Sequence, residues 1–299
     1  MSRIHDALKR AEQERAASLG THVGSTLQQL EPAPVSVAMP NLQGPGAQTM
    51  PGGSGLSYEA LISRCPQTEW KPDSRTMLFF QDDETRIGTE EFRTLRSRLY
   101  QIREKMPLRR LLVTSALPQE GKSFVAANLA QVLVRQHGRR ALVIDADLRN
   151  PGMHRHFGAA QTPGLSDYLS GECDEFAIMQ RGPMENLFFV PAGRVVASAP
   201  ELLANGRLKL FLQRVEPLFD WVVMDSSPVI PVSDSTLVAG NCDGVLIVVR
   251  SNVTPSDLAK RAREEFPDKL LLGVVLNGAP SGKLSQARYY YGEAVGSQV

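Results

Sequence analysis

Short apolar runs alternate with helix-like stretches from about residue 76 onward. A helix is predicted around Thr89 to Lys105, and the apolar runs predict six strands, near residues 110–114, 140–145, 187–190, 221–225, 243–249 and 270–276. Runs such as WVVMD and VLIVV contain no polar alternation, so both faces of these strands are expected to be covered. This alternation predicts an α/β fold with a doubly wound, mostly parallel sheet and helices on both faces.

The first 75 residues follow a different pattern. Apolar residues recur on one predicted helix face within residues 1–18, namely at Ile4, Ala7, Leu8 and Ala11. A helix this short needs a partner to be stable, so two alternatives stay open, a docking helix or a frayed, solvated terminus. Residues 19–75 are rich in Gly, Pro, Ser and Gln, and they predict a flexible linker with order beginning near Thr76.

The composition excludes several classes of protein. The net charge is +1 at pH 7, whereas a nucleic-acid-binding protein normally carries a clear basic excess. Cys65, Cys173 and Cys242 are isolated, so neither a disulfide framework nor a zinc site is indicated. The longest apolar runs are strand-sized, far below the roughly 18 residues of a membrane span. We therefore expect a soluble, cytoplasmic protein that does not bind nucleic acid.

Residues 115–123, SALPQEGKS, connect an apolar strand to a helix-like stretch. A phosphate-binding loop needs inward-facing backbone N–H groups, a helix N-terminus, a lysine for the β- and γ-phosphates and a hydroxyl group for Mg²⁺. Gly121, Lys122 and Ser123 supply the last part of this arrangement. Ala116 stands where a glycine is usual, and its methyl group is tolerated if the backbone there avoids positive φ. The stretch predicts a nucleotide site, with an accidental surface loop as the alternative.

Three aspartates follow predicted strands. Asp145 and Asp147 come at the end of ALVID and just after it, and Asp225 ends WVVMD. In a parallel sheet these strand ends lie on the same edge as the phosphate loop, where ligands of open α/β sheets bind. Three carboxylates beside a phosphate group would repel one another without a cation, so Mg²⁺ is expected between them. The alternative is that each aspartate merely caps the helix that follows it.

These motifs together resemble those of the bacterial tyrosine kinases (BY-kinases), the tyrosine autokinases of capsule and exopolysaccharide synthesis. The resemblance covers about residues 85–291 and rests on ALPQEGKS, on DADLR (Asp145, Asp147, Arg149) followed by Asn-Pro and His154, on VVMDSSP, on E-x-x-R-x-x-R (Glu90, Arg93, Arg96) and on a cluster of tyrosines near the C-terminus. The opening MSRIHDALKRAEQER is similar to that of the exosortase-associated exopolysaccharide subgroup. The resemblance implies a P-loop kinase domain over residues 76–280.

The resemblance also implies roles for individual residues. ATP would be bound by Ala116, Leu117, Pro118, Gln119, Glu120, Gly121, Lys122, Ser123, Phe124 and Arg149. Catalysis would depend on Lys122, Asp145, Asp147 and Asp225. Mg²⁺ would be held by Ser123, Asp145 and Asp225. A phenol with a pKa of about 10 is protonated at neutral pH, so a carboxylate that accepts its proton assists the attack, and Asp145 is the candidate base.

The C-terminal tail of residues 281–299 contains the candidate phosphorylation sites, Tyr289, Tyr290 and Tyr291. Three consecutive tyrosines cannot all face one surface, so at least one is expected to be exposed. They begin thirteen residues beyond the last predicted strand, about 40 Å of extended chain, which is enough to reach a neighbour's active site. Aromatic packing at a domain edge is the alternative.

The resemblance implies that Glu90, Arg93 and Arg96 mediate the packing of subunits into a ring. The alternative is that these residues form ordinary ion pairs on an exposed helix, which contribute little to stability.

We therefore expect an ATP-dependent protein-tyrosine autokinase that regulates exopolysaccharide polymerisation and export. The resemblance implies a membrane activator of the chain-length-determinant type (a polysaccharide co-polymerase), a cognate tyrosine phosphatase, and a peripheral location at the inner membrane through the activator. One alternative is a partition- or septum-type ATPase, but Leu117 occupies the position where such proteins carry a second lysine. A nucleotide-bound scaffold of the export machinery is the other alternative.

Overall fold

A seven-stranded sheet forms the centre of the protein. The computed structural model describes residues 56–80, 87–267 and 269–279; the predicted N-terminal helix and the tyrosine tail lie outside them. The strands are β1 Arg110–Ser115, β2 Ala141–Asp145, β3 Gln180–Arg181, β4 Leu187–Val190, β5 Trp221–Asp225, β6 Gly244–Arg250 and β7 Leu271–Asn277. The helices are α1 Tyr58–Arg64, α2 Thr89–Arg103, α3 Lys122–Val134, α4 Met153–Phe157, α5 Leu165–Leu169, α6 Glu175–Ile178, α7 Ala199–Ala204, α8 Arg207–Val215, α9 Asp234–Ala239 and α10 Ser256–Glu264, with a 3₁₀ turn at Glu216–Leu218.

The strands are ordered β3-β4-β2-β5-β1-β6-β7. All neighbouring pairs are parallel except β3 and β4, which are antiparallel. The six predicted strands and the mostly parallel sheet are therefore confirmed. Strand β3 was missed because two residues are too few to form a hydrophobic pattern. Within the described ranges, no helix has both the length and the apolar character that crossing a membrane requires.

The core consists of two apolar clusters, one on each face of the sheet. Leu112 belongs to one cluster, whereas its neighbours Leu111 and Val113 belong to the other. Helices α2, α3 and α4 contribute to the second cluster, and the remaining helices contribute to the first. Both faces of the sheet are thus covered, which explains why β1, β2 and β5 consist of apolar runs without polar alternation.

The predicted flexible linker is wrong for residues 56–75, which are part of the folded domain. Ser57 caps α1, and Leu61 of that helix is fully buried. Trp70 is 4% exposed, and its ring lies 5.0 Å from that of Phe157 and 6.1 Å from that of Phe189. The local composition concealed this packing because Trp70 contacts residues far away in sequence.

The sheet order determines where the site forms. Strand β5 lies between β1, which leads into the phosphate loop, and β2, which ends at Asp145. In the register of the sheet, Asp225 is paired with Asp145 on one side and with Val113 on the other. The carboxyl ends of these three strands therefore bring the predicted lysine loop and the predicted aspartates to one edge.

Candidate active site

The phosphate loop turns from β1 into α3 through two residues with positive φ. Gln119 has φ 64°, and Gly121, which precedes the first residue of α3, has φ 96°. Ala116 is fully buried and is not among the residues with positive φ, so the alanine suits its position. A β-carbon on Gly121 would lie 2.1 Å from the Asn277 side-chain nitrogen, so Asn277 would have to move, and the positive φ of Gly121 by itself favours glycine there.

Side chains from β6, β7 and the loop after β6 support the phosphate loop. Glu120 is buried; its carboxylate accepts a hydrogen bond from the Leu117 N–H at 2.7 Å and a second from the Thr254 hydroxyl group. Asn277 Nδ2 donates to the Glu120 carbonyl oxygen at 2.9 Å, and Arg250 donates to the Gln119 carbonyl oxygen at 3.3 Å. The roles of Thr254, Arg250 and Asn277 were not predicted from the sequence. Their only sequence signal is that they end or follow strands on this edge.

Lys122 lies between two of the predicted carboxylates. Its Nζ is 2.8 Å from Asp147 Oδ2 and 3.6 Å from Asp225 Oδ2. Burial by itself would lower the pKa of the lysine, but the charges of Asp225 and Asp147 outweigh burial and raise the pKa above its ordinary value. The ammonium group is therefore cationic at any physiological pH, as contact with phosphate oxygens requires.

Asp145 is fully buried at the end of β2. Its Oδ2 accepts the Gly152 and Met153 N–H groups at 3.2 and 3.1 Å, whereas the one described residue that donates to Oδ1 is Asp147, through its N–H at 3.1 Å. Burial and the charge of Asp225 raise the pKa of Asp145 to about 7. Asp145 thus orders the loop after β2 while Oδ1 keeps a lone pair free.

Asp225 combines one bonded and one unpaired oxygen. Oδ2 accepts a hydrogen bond from Ser123 Oγ at 2.5 Å, and Oδ1 is buried without a hydrogen-bond partner within the described part of the chain. Burial raises the pKa of this carboxyl to about 6. A hydroxyl group and a buried carboxylate with an unused oxygen fit a hard cation such as Mg²⁺, which takes few protein ligands beside phosphate oxygens and water.

Asp147 and Arg149 are linked to a residue that the sequence analysis missed. The Arg149 guanidinium pairs with Asp234 through Nε at 2.7 Å. Ser227 Oγ donates to Asp147 Oδ1 at 3.1 Å and lies 3.4 Å from Asp234 Oδ2. The predicted catalytic residues Lys122, Asp145, Asp147 and Asp225 are therefore brought together, and the Arg149 guanidinium is engaged by Asp234.

Comparison with known proteins identifies the family. No family model matches the chain. The chain is 31% identical over 206 residues to the tyrosine-protein kinase YwqD of Bacillus subtilis, a match that covers 68% of the chain and 86% of YwqD. The chain belongs to the bacterial tyrosine-protein kinases. This confirms the predicted family and the predicted protein-tyrosine kinase activity. The predicted connection to exopolysaccharide synthesis is confirmed by a second relative, the succinoglycan biosynthesis transport protein ExoP.

Two further relatives extend the comparison. The chain is 34% identical over 202 residues to the succinoglycan biosynthesis transport protein ExoP of Rhizobium meliloti, a match covering 66% of the chain but only 26% of ExoP. The kinase domain of the Escherichia coli tyrosine kinase ETK superimposes with a TM-score of 0.63 at 27% identity, covering 75% of the chain and 88% of that domain. The predicted P-loop kinase fold is confirmed, and the fold implies ATP as the nucleotide.

The other predicted site residues of this kinase lie on α2 and α3. The Phe124 ring packs edge to face against Phe92, with the ring centroids 5.8 Å apart. Glu90 and Arg93 form an ion pair within α2, and Arg96 Nη1 donates to the Val132 carbonyl oxygen at 3.1 Å. The predicted ring interface stays a prediction.

Proposed function

We propose that the chain is an ATP- and Mg²⁺-dependent autokinase that transfers the γ-phosphoryl group to Tyr289, Tyr290 or Tyr291 of a neighbouring copy. The observation that carries the proposal is the position of Lys122 between Asp147 and Asp225, directly beside the hydroxyl group of Ser123. Phosphoryl transfer depends mainly on positioning and on electrostatic stabilisation, and this arrangement supplies both.

The phosphate loop binds the triphosphate through its backbone N–H groups and the N-terminus of α3. Lys122 neutralises the charge that develops on the β- and γ-oxygens. The Thr254 and Asn277 contacts keep the loop in its bound shape, which limits the entropy lost on binding. Leu117 leaves the loop without a second lysine, which argues against a partition-type ATPase.

Ser123 and Asp225 would hold Mg²⁺, because the serine hydroxyl group adjoins a carboxylate that keeps one oxygen unused. When bound, the cation screens the charges of the phosphate oxygens and the carboxylates. Asp145 is the proposed base. Its pKa of about 7 suits proton transfer near neutral pH, and its Oδ1 keeps a lone pair for the phenol proton.

The tyrosines of the described part of the chain are poor acceptors. The Tyr58 ring lies 3.6 Å from the Arg140 guanidinium, and its hydroxyl group donates to Asn186. Tyr100 packs against Trp221, and Tyr168 is 7% exposed. A packed phenol cannot leave its site without disrupting the fold, so the tail tyrosines are the proposed acceptors.

We further propose that copies assemble into a ring through Glu90, Arg93 and Arg96 and act at the inner membrane through a polysaccharide co-polymerase. The relationship to ExoP, a polysaccharide biosynthesis transport protein, supports the partner. A cognate tyrosine phosphatase would remove the phosphate groups from the tail tyrosines. Static light scattering of the wild type and of Arg93→Glu tests the ring, and an unchanged mass would contradict it.

Mass spectrometry of phosphotyrosine after incubation with ATP and Mg²⁺ tests the kinase proposal. We expect phosphate on the tail of the wild type, and none on Lys122→Ala or on a chain truncated after Gln286. Lys209→Ala removes an exposed lysine of α8 and is the matched control, which should retain activity. A wild type that stays unmodified both alone and with the cytoplasmic segment of its co-polymerase would favour a nucleotide-bound scaffold.

A further inference from the structure

Asp234 is fully buried at the first residue of α9. Its carboxylate faces Arg149, with Nε at 2.7 Å from Oδ2 and Nη2 at 3.3 Å from Oδ1. This two-point ion pair holds Arg149 by its planar guanidinium group. Arg149 lies only two residues after Asp147, so Asp234 restrains the loop that carries Asp147.

A second connection runs through Ser227, which is 1% exposed. Its Oγ lies 3.1 Å from Asp147 Oδ1 and 3.4 Å from Asp234 Oδ2. The Ser227 backbone is held in turn, because its carbonyl oxygen accepts a hydrogen bond from the Thr114 hydroxyl group at 2.9 Å. The Ser227 hydroxyl group therefore connects the buried carboxylates of Asp147 and Asp234, and its own position is held by its backbone.

Asp147 is placed by these contacts. Its Oδ1 accepts hydrogen bonds from Ser227 and from the Asn150 N–H at 3.0 Å, which leaves Oδ2 directed at Lys122, 2.8 Å away. An aspartate that loses such supports can rotate about its terminal torsion, which is broad. A shift of about 1 Å in a catalytic group is enough to slow a reaction about 100-fold.

A purely local role for Asp234 does not fit its contacts. An aspartate in the first turn can stabilise a helix by accepting its free N–H groups. The hydrogen bonds that the Asp234 carboxylate accepts from described residues come from Arg149 and Ser227, and none comes from the backbone of α9. The residue before it, Ser233, occupies the N-cap position.

We infer that Asp234 is a positioning residue for phosphoryl transfer, which acts through Arg149 and Ser227 to hold Asp147 against Lys122. The inference rests on the proposed function. It assigns to Asp234 an effect on the rate of transfer with little effect on the binding of nucleotide, because its contacts are with the loops after β2 and β5 and not with the phosphate loop.

The test measures autophosphorylation of the full chain in single-turnover reactions, together with the affinity for a fluorescent ATP analogue and the thermal unfolding midpoint. For Asp234→Asn, which keeps the shape and removes the charge, we expect a rate loss of about tenfold to 100-fold with nearly unchanged affinity. Ser227→Ala should reduce the rate less, because the Arg149 pair remains. The double variant Asp234→Asn with Arg149→Gln should be no slower than the slower single variant, because the two substitutions remove the same interaction.

The matched control is Asp167→Asn. Asp167 is also a buried aspartate of a helix's first turn, and it pairs with Arg194 at 2.6 Å without contacting Asp147. We expect a lower unfolding midpoint but an unchanged rate of transfer. Wild-type activity in Asp234→Asn, or losses that add in the double variant, would overturn the inference. A wild type that stays inactive both alone and with the cytoplasmic segment of its co-polymerase would instead contradict the proposed function, so the two failures are distinguishable.

Discussion

The Asp225 carboxylate accepts a hydrogen bond from Ser123 at 2.5 Å through one oxygen and leaves the other oxygen buried and without a partner among the described residues. An ionised carboxylate in this state is poorly solvated and incompletely paired. This environment is more favourable for the Asp225 carboxylate when a cation is bound than in the ligand-free protein. The site thus carries a stability penalty that serves the function.

Asp225→Asn should therefore stabilise the protein at neutral pH. Burial raises the pKa of Asp225 from 3.8 to about 6, so its ionised form is less stable in the folded chain than in the unfolded chain. With respect to Asp225, the wild type therefore has its full stability below about pH 4, where Asp225 is protonated in both the folded and the unfolded chain. It loses this stability as the pH rises through about 6. We expect the variant to gain roughly 1–3 kcal/mol in the free energy of unfolding at pH 8 and about half as much at pH 5.

Urea unfolding without nucleotide or Mg²⁺ measures this difference. Asp243→Asn is the control of opposite sign. Burial raises the pKa of Asp243, but hydrogen bonds from the backbone N–H groups of Arg110 and Arg109 outweigh burial and lower the pKa. The charge of Asp243 therefore stabilises the folded state. That variant should lose stability at pH 8. A destabilised Asp225→Asn at pH 8 would contradict the argument.

Gly121→Ala should abolish nucleotide binding. The new β-carbon would lie 2.1 Å from Asn277 Nδ2, in a residue whose φ is 96°. Gly206→Ala is the matched control, because Gly206 also has positive φ, 81°, but a β-carbon there has no neighbour within 4 Å. The control should lose about 1–2 kcal/mol of stability and keep its affinity for nucleotide. Equal affinities of the two variants for a fluorescent ATP analogue would contradict the steric explanation.

The rate of autophosphorylation should fall as the pH is lowered through about 7. A base must be ionised to accept the phenol proton, and the pKa of Asp145 is raised to about 7 by burial and by the charge of Asp225. In single-turnover reactions at saturating ATP, we expect the rate to fall about tenfold for each pH unit below this pKa. Asp145→Asn should be slow at every pH; a residual rate with the wild-type pH dependence would assign the titration to another group.

Trp70→Ala should destabilise the protein by about 3 kcal/mol or more, although the residue lies in a stretch that is locally typical of a linker. Its ring packs against Phe157 and covers Gly182, where even a β-carbon would lie 2.2 Å from the ring. Thr68→Val removes only the hydroxyl group that accepts the indole N–H at 2.9 Å, and should cost about 1 kcal/mol. Urea unfolding curves compare the two. A change in Trp70→Ala no larger than that in Thr68→Val would show that the ring is not a core residue.

Much of the fold was predictable because buried parallel strands carry a strong local signal. The WVVMD run became β5 as expected, since a strand covered on both faces requires apolar residues at every position. The failures have the opposite cause. Strand β3 has two residues, and the segment around Trp70 gains its order from residues more than 80 positions away, so neither leaves a periodic pattern.

The same distinction holds for the site. Asp145, Asp147 and Asp225 were predicted because they stand at or just after strand ends that the hydrophobic pattern predicts, and Lys122 because it belongs to the Gly-Lys-Ser motif that follows β1. The supporting residues were not. Thr254 and Asn277 contact Glu120 across 134 and 157 positions, and Asp234 reaches Arg149 across 85. Their residue types are ordinary for caps and turns, so only proximity reveals their roles.

The sequence by itself determined the kind of sheet, the strand ends that bear charge, and the loop proposed to bind phosphate, because periodicity and residue chemistry are local properties. The tertiary structure alone decided the atomic environment of each charge. It left one oxygen of Asp225 unpaired, raised the pKa of Asp145, and joined Asp147 to Asp234. Desolvation and hydrogen-bond geometry depend on which groups meet in space, and the order of strands in the sheet determines those meetings.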